Sequence, residues 1–382
     1  MDYTKLEDLL NDGMTRKQAA IYLDYFHREE NMDCLNQEFV KWAHSKGFIA
    51  ENAAIYGISP DNYEKYLSDY DNMKLWPLNN WTRMWVNDKL TLKYMLFGTP
   101  YADLMPKYYY YTQPESGDLR ALVDNPIKDN PNTNESFIEV LKDVGEFACK
   151  PNNGSSALGF FKLEYKNGLF FINEEIVTVQ GIKDFVATHP NYIFTEFVYA
   201  GRSLGKICHK PHTIRLLVVN ENGNNPVIGG GFIKIPTSRS GVVNMLNFDN
   251  PDDYNLISDI NVETGWYGHA KLTFINRSVD VECHPDSAER IDGFVEDYEK
   301  LKEMVLGVAK LFCTIEYIGF DICVTEDGFK CFEINSHSWP KHMQIFGPIG
   351  DKPFLNEYYK RKLANIDQLN VEEKKKRVEI QR

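Results

Sequence analysis

The stretch that decides the fold is GFDICVTEDGFKCFEIN, residues 319–335. Two alternating apolar runs flank Glu326-Asp327-Gly328, the composition of a β-hairpin. A three-residue loop at 326–328, with Gly328 in the left-handed position, sets Asp321 opposite Glu333. Side chains alternate across a strand, so Asn335 returns to the face of Glu333. Two carboxylates and an amide then converge, and the two strands offer no basic neighbour to neutralise them. Such a group is costly unless it holds a cation, and all-oxygen ligation selects Mg²⁺.

Upstream, FACKPNNGSSALGFF (147–161) places Lys150 at the end of a strand, before a small polar loop. Backbone N–H groups of Gly154, Ser155 and Ser156 suit phosphate oxygens, and Lys150 supplies charge. The loop lacks GK[ST] and leads into a strand, so it is no Walker loop. A third segment, IFTEFVYAG, ends an apolar strand at Thr195-Glu196-Phe197-Val198. That ending offers backbone groups and one carboxylate to an adenine edge.

The order Lys-loop, hinge acid, D…E.N resembles the ATP-grasp superfamily from about Asp88 to Asn335. The resemblance implies ATP held by Lys150 at the α/β phosphates, with Gly154 to Ser156 as a loop over the triphosphate. It implies that Glu196 receives the adenine amino group and that Phe197 and Val198 bond the ring through their backbone. Asp321, Glu333 and Asn335 would bind two Mg²⁺ ions. The family's first nucleotide lysine falls in NDKLTLKYML, where Lys89 and Lys93 both qualify. A closer resemblance is to the sugar-transfer-associated ATP-grasp branch. It is carried by His212-Thr213-Ile214-Arg215, by His284-Pro285-Asp286-Ser287 and by Gly319-Phe320-Asp321 through Asn335. The departures are His for Asn, Ser-Ala for Thr-Gly, and Phe for Trp.

That resemblance implies an ADP-forming carboxylate–amine ligase working through an acyl phosphate, in surface polysaccharide or related conjugate synthesis. A kinase acting on an alcohol and a nucleotide-binding regulator without turnover are the competing readings. Arg215, whose planar fork binds two oxygens, suits the transferring phosphoryl group. His284, Asp286 and Arg290 are expected to cover the acceptor site. In SHSWPKHMQIF, His337 and Lys341 are substrate candidates, Lys341 for a second substrate carboxylate.

The whole chain fits this picture. Its 382 residues, 43% hydrophobic and 25% charged, suffice for two or three units. A net charge of −13 argues against nucleic acid, whose phosphates are held by Lys and Arg. The start lacks a signal-peptide pattern, and no apolar run approaches the ~20 residues of a membrane span. Seven cysteines without a CxxC pair suggest reduced thiols and a cytoplasmic setting. The expected class is α+β, with a helical region at 1–85 packed as a cap. The ATP-grasp part is expected at 86–200 and 201–355, loop-rich between the 240s and His284. A helix is expected over 291–312, and a charged helical tail, solvated, over 356–382.

Overall fold

The computed structural model describes residues 3–154, 158–239, 250 and 252–379. Two antiparallel sheets carry the molecule. The first runs in the order Leu119–Ala121, Tyr108–Thr112, Tyr192–Glu196, Glu146–Pro151, Phe161–Lys166, Leu169–Ile172, Glu175–Val177. Helices Asn134–Val144 and Val179–Thr188 flank it, each started by a threonine whose side chain accepts from the third helical N–H. Their apolar faces close a core around Phe137, Phe147 and Phe194.

The second sheet runs Ser278–Asp280, Trp266–Thr273, Asn255–Ile260, Val227–Ile235, Thr213–Val219, Tyr317–Thr325, Gly328–Asn335, with Gly293–Phe294 beside Trp266–Thr273. Its period-2 alternation separates two cores. Ile214, Leu216 and Val218 join Ile318, Phe320 and Ile322 on one face, under the helices Tyr298–Leu311 and Lys89–Leu96. Leu217, Val219 and Tyr317 point the other way, against Ala50, Ala53 and Trp76 of the N-terminal helices. Arg215, Gly319 and Asp321 share that second face by alternation.

The N-terminal region is therefore a lid over one sheet face, and Asn79 shows how it is fastened. The Asn79 amide donates to Tyr317 O (2.7 Å) and Ser336 O (2.8 Å). Its carbonyl accepts from Glu316 N (2.8 Å) and Tyr317 N (2.9 Å).

Four expectations are corrected. Residues 255–280, expected as loop, form three strands, because NLISDI and WYGHAKLT pair with each other around a bulge that breaks their alternation. The long helix starts only at Tyr298, since Gly293–Phe294 is claimed by the sheet and Asp297 sits at φ 55°. The hairpin loop has two residues, Thr325 pairing with Gly328, and a bulge at Phe332 restores the Asp321–Glu333 pair. The tail is not simply solvated. Lys374 reaches Asp12 (2.7 Å), and Arg377 donates to the carbonyls of Lys74 (2.6 Å) and Trp76 (3.2 Å).

Candidate active site

Asp321 and Glu333 stand opposite each other on the hairpin, with Arg215 opposite Asp321 on the other side. The expectation of no basic neighbour fails here, because Arg215 comes from a strand distant in sequence. Its guanidinium binds Asp321 through both oxygens, Nε to Oδ1 and Nη2 to Oδ2 at 2.8 Å. Burial alone would lower the guanidinium's pKa, but Asp321 outweighs it and holds it above the ordinary value. Asn335 donates its amide to Asp321 Oδ2 at 3.1 Å.

Ser338 locks this arrangement from behind. It accepts from Arg215 Nη1 at 3.0 Å, and a Cβ on residue 319 would come within 2.6 Å of its Cβ and 3.3 Å of Arg215 Cδ. Gly319 is therefore required by close approach rather than by a turn.

Glu333 is the exposed end of the set. Its carboxylate forms no hydrogen bond with a described residue, and Lys89 Nζ stands 3.8 Å away. Burial, reinforced by Asp321, raises its pKa above the usual carboxylate range. A half-buried acid without a bonded donor, beside an Asn carbonyl, has the chemistry of a hard-cation site. Among the described residues no group of three His, Cys, Asp or Glu side chains is placed to hold a metal ion, and the oxygen donors gathered on this face are Asp321, Glu333 and the Asn335 amide.

The first sheet brings its lysines to the same place. Lys150 Nζ lies 3.4 Å from Phe332 O, and burial followed by Lys89 depresses its pKa to about 8. Lys89 and Lys93 differ in position. Asp88 caps the helix on Thr91 N (2.7 Å) and accepts from Asn152 (2.6 Å), so the helix start docks on the loop after Lys150. Lys89 Nζ thereby reaches Gly154 O (2.7 Å) and the Glu333 side, whereas Lys93 pairs with Asp124 (2.7 Å) and Pro106 O (2.9 Å). Gly154 N–H, expected to face phosphate, donates to Pro151 O at 3.3 Å. Ser155 and Ser156 lie outside the described residues.

At the hinge, Glu196 Oε2 accepts from Lys107 N at 3.0 Å. Lys162 lies over the Phe197 ring at 4.8 Å. Val198 packs with Ala200 on Cys323 of the second sheet. Lys162 also bonds Glu146 (2.7 Å) and Tyr199 (3.0 Å), a cluster that no sequence motif singles out.

Of the other expected substrate residues, His284, Asp286, Arg290 and His337 are engaged elsewhere. His284 spends its ring on the loop, with Nε2 at Pro236 O (2.8 Å) and Nδ1 accepting from Ser287 N (3.2 Å). Asp286 holds Ser238 N and Oγ, each at 2.6 Å, and the exposed Arg290 side chain lies 3.8 Å from Asp292. These local bonds replace the expected cover. The His337 ring lies tilted against Trp76 with centroids 4.6 Å apart, and burial lowers its pKa to about 4. His212, in the motif that carries Arg215, is buried and accepts from Val324 N at 3.0 Å, which makes it structural. Sequence reasoning missed Ser338, which carries no signal of its own.

A family model described as sugar-transfer associated ATP-grasp matches residues 86–357. Among solved structures, the chain is similar to D-alanyl-alanine synthetase A from Vibrio cholerae O1 biovar eltor, with 13% identity and TM-score 0.40, over 74% of this chain and 66% of that one. It is also similar to D-alanine–D-alanine ligase from Bacillus anthracis (14% identity, TM-score 0.33, 76% and 69% of the two chains). A third is N5-carboxyaminoimidazole ribonucleotide synthetase from Thermotoga maritima (12%, TM-score 0.32, 66% and 42%). No curated protein matches. No helix among the described residues is long and apolar enough to cross a membrane. With its model matched over most of the sequence, the chain belongs to the sugar-transfer-associated ATP-grasp family.

Proposed function

We propose that the protein is an ADP-forming ligase that binds Mg-ATP and joins a carboxylate to an amine. The observation that carries this reading is the meeting of Lys89 and Lys150, on one side, with the Asp321–Glu333–Asn335 face and Arg215 on the other. Asp321, Glu333 and Asn335 would hold two Mg²⁺ ions, which offset charge on the phosphates when bound. Lys89 and Lys150 neutralise the triphosphate, and Glu196, Phe197 and Val198 take the adenine. Arg215, held in place by Asp321 and Ser338, presents its outer edge to the transferring group.

A carboxylate oxygen of the acid attacks the γ-phosphorus, the bond to ADP breaks, and an acyl phosphate forms. The amine nitrogen then attacks the acyl carbon, and phosphate leaves with the bonding pair. The basic surroundings, Lys89, Lys150 and Arg215, favour an anionic acceptor. The acid and amine are of the sugar-acid or amino-acid type, in keeping with the family's association with sugar transfer.

Hydroxylamine tests the reaction type. With ATP, Mg²⁺ and a panel of sugar acids and amino acids, the expected result is a hydroxamate formed in step with ADP. A stable phosphorylated alcohol, AMP with pyrophosphate, or no nucleotide turnover with any acid would overturn the ligase.

A further inference from the structure

One row of directly opposed residues crosses the second sheet. Glu333 pairs with Asp321, Asp321 with Arg215, Arg215 with Phe232, and Phe232 with Asp259. Directly opposed residues share a face, so Asp259 stands on the face of Arg215 and Asp321. It lies two strands beyond Arg215, about 10 Å away at the ordinary strand spacing. Phe232 separates the two. Arg215 lies over its ring at 5.9 Å, and the His342 ring lies against it at 4.8 Å.

Beyond that ring the face opens. An open cavity of about 380 Å³, within the size range of small-molecule sites, is lined by Asp259, His269, Lys271 and Asp280 from three neighbouring strands. Its apolar wall is Ile345 and Phe346, the continuation of the helix Lys341–Gln344 that carries His342. Asp259 Oδ1 accepts from Ile260 N at 3.0 Å, and Oδ2 bonds no described residue. Burial raises the Asp259 pKa, with Lys352 opposing the rise. His269 is exposed at φ 50°, its ring edge-on to Trp266 with centroids 5.1 Å apart. Lys271 pairs with Asp280 at 2.6 Å.

Asp259 and Asp280 are thus offset by Lys271 and, from further off, by Lys352. Neither an anion nor a cation finds an excess of opposite charge here. What the cavity offers is acceptors and donors side by side, a carboxylate oxygen, an imidazole and an ammonium, against an apolar wall. Hydroxyl groups both donate and accept. A ring with hydroxyls on its edge and C–H groups on its face fits both halves.

We infer that this cavity is a subsite for a neutral sugar ring, separate from the nucleotide site, in which a sugar hydroxyl donates to Asp259 Oδ2. The subsite concerns binding without turnover and does not depend on the ligase reading.

The test titrates the full chain with glucose, galactose, glucosamine and glucuronate by saturation-transfer NMR, each with and without MgADP. At least one neutral sugar is expected to bind in the millimolar range, equally in both conditions, and at least as tightly as the charged ones. Asp259→Ala is expected to weaken that binding about tenfold, the worth of a hydrogen bond to a charged group. His269→Asn, whose side chain tolerates the left-handed backbone, serves if Asp259→Ala does not fold. No binding of either neutral sugar, equal binding by variant and wild type, or a clear preference for a charged sugar overturns the subsite. A sugar that binds only with MgADP belongs to the nucleotide site and overturns it as well. Binding that needs Asp259, together with failure of the hydroxylamine test, leaves the subsite standing and removes the ligase reading.

Discussion

Glu333→Gln is expected to reduce ADP formation at least a thousandfold while leaving the protein as stable as before, or more so. Removing one charge from the proposed metal–triphosphate site should cost about 4 kcal/mol of transition-state stabilisation, and each 1.4 kcal/mol is tenfold in rate. The stability half follows from the free protein. Burial and Asp321 hold Glu333 above its ordinary pKa. Its favourable contribution to folding is therefore complete below the unfolded carboxylate pKa and is lost as pH rises through the folded value. At neutral pH the charge works against the fold, and the isosteric amide relieves it. Steady-state ADP release and thermal unfolding at pH 7 measure the two halves. Near wild-type turnover in saturating Mg²⁺, or a marked fall in melting temperature, would remove Glu333 from the metal site.

Lys150→Ala is expected to raise the dissociation constant for ATP by more than tenfold. The ammonium is enclosed, its recorded bond is the long one to Phe332 O, and Lys89 repels it. A triphosphate would answer both lysines at once. Since its pKa falls to about 8 in the free protein, the wild type should bind ATP more weakly as pH rises above 8. The alanine variant should lose that slope. Calorimetry across pH 7 to 9 reads both effects. Unchanged affinity in the variant, or the same slope in both proteins, would count against Lys150 as a phosphate ligand.

The hairpin was legible because its evidence is local. Alternation around Glu326-Asp327-Gly328 places Asp321 against Glu333 even though the loop is a residue shorter than its composition suggests, since the bulge at Phe332 makes up the difference. Lys150 was legible for the same reason, as the last residues of a strand before a small polar loop. Arg215 was visible as a residue but not as the partner of Asp321, because that pairing joins strands about a hundred residues apart. The loop of His284 misled for the opposite reason. A histidine and an aspartate close in sequence look like chemistry, yet each is consumed by backbone and serine hydrogen bonds of its own loop. The strands at 255–280 stayed hidden because their pairing breaks register at Ile257–Asp259.

Asn79 has a consequence for where the catalytic unit begins. The family match opens at residue 86, yet the side chain at 79 satisfies four backbone groups along the edge of Tyr317 and Ser336. Those groups lie one turn of chain from Gly319 and Asn335, and each would cost roughly 1–3 kcal/mol if left buried and unpaired. Cutting the chain at the edge of the family match would also bare Leu217, Val219 and Tyr317, which now lie under Ala50, Ala53 and Trp76. The packed unit is therefore larger than the part that the family model matches. The helical segment is part of the foundation of the candidate site rather than an accessory to it.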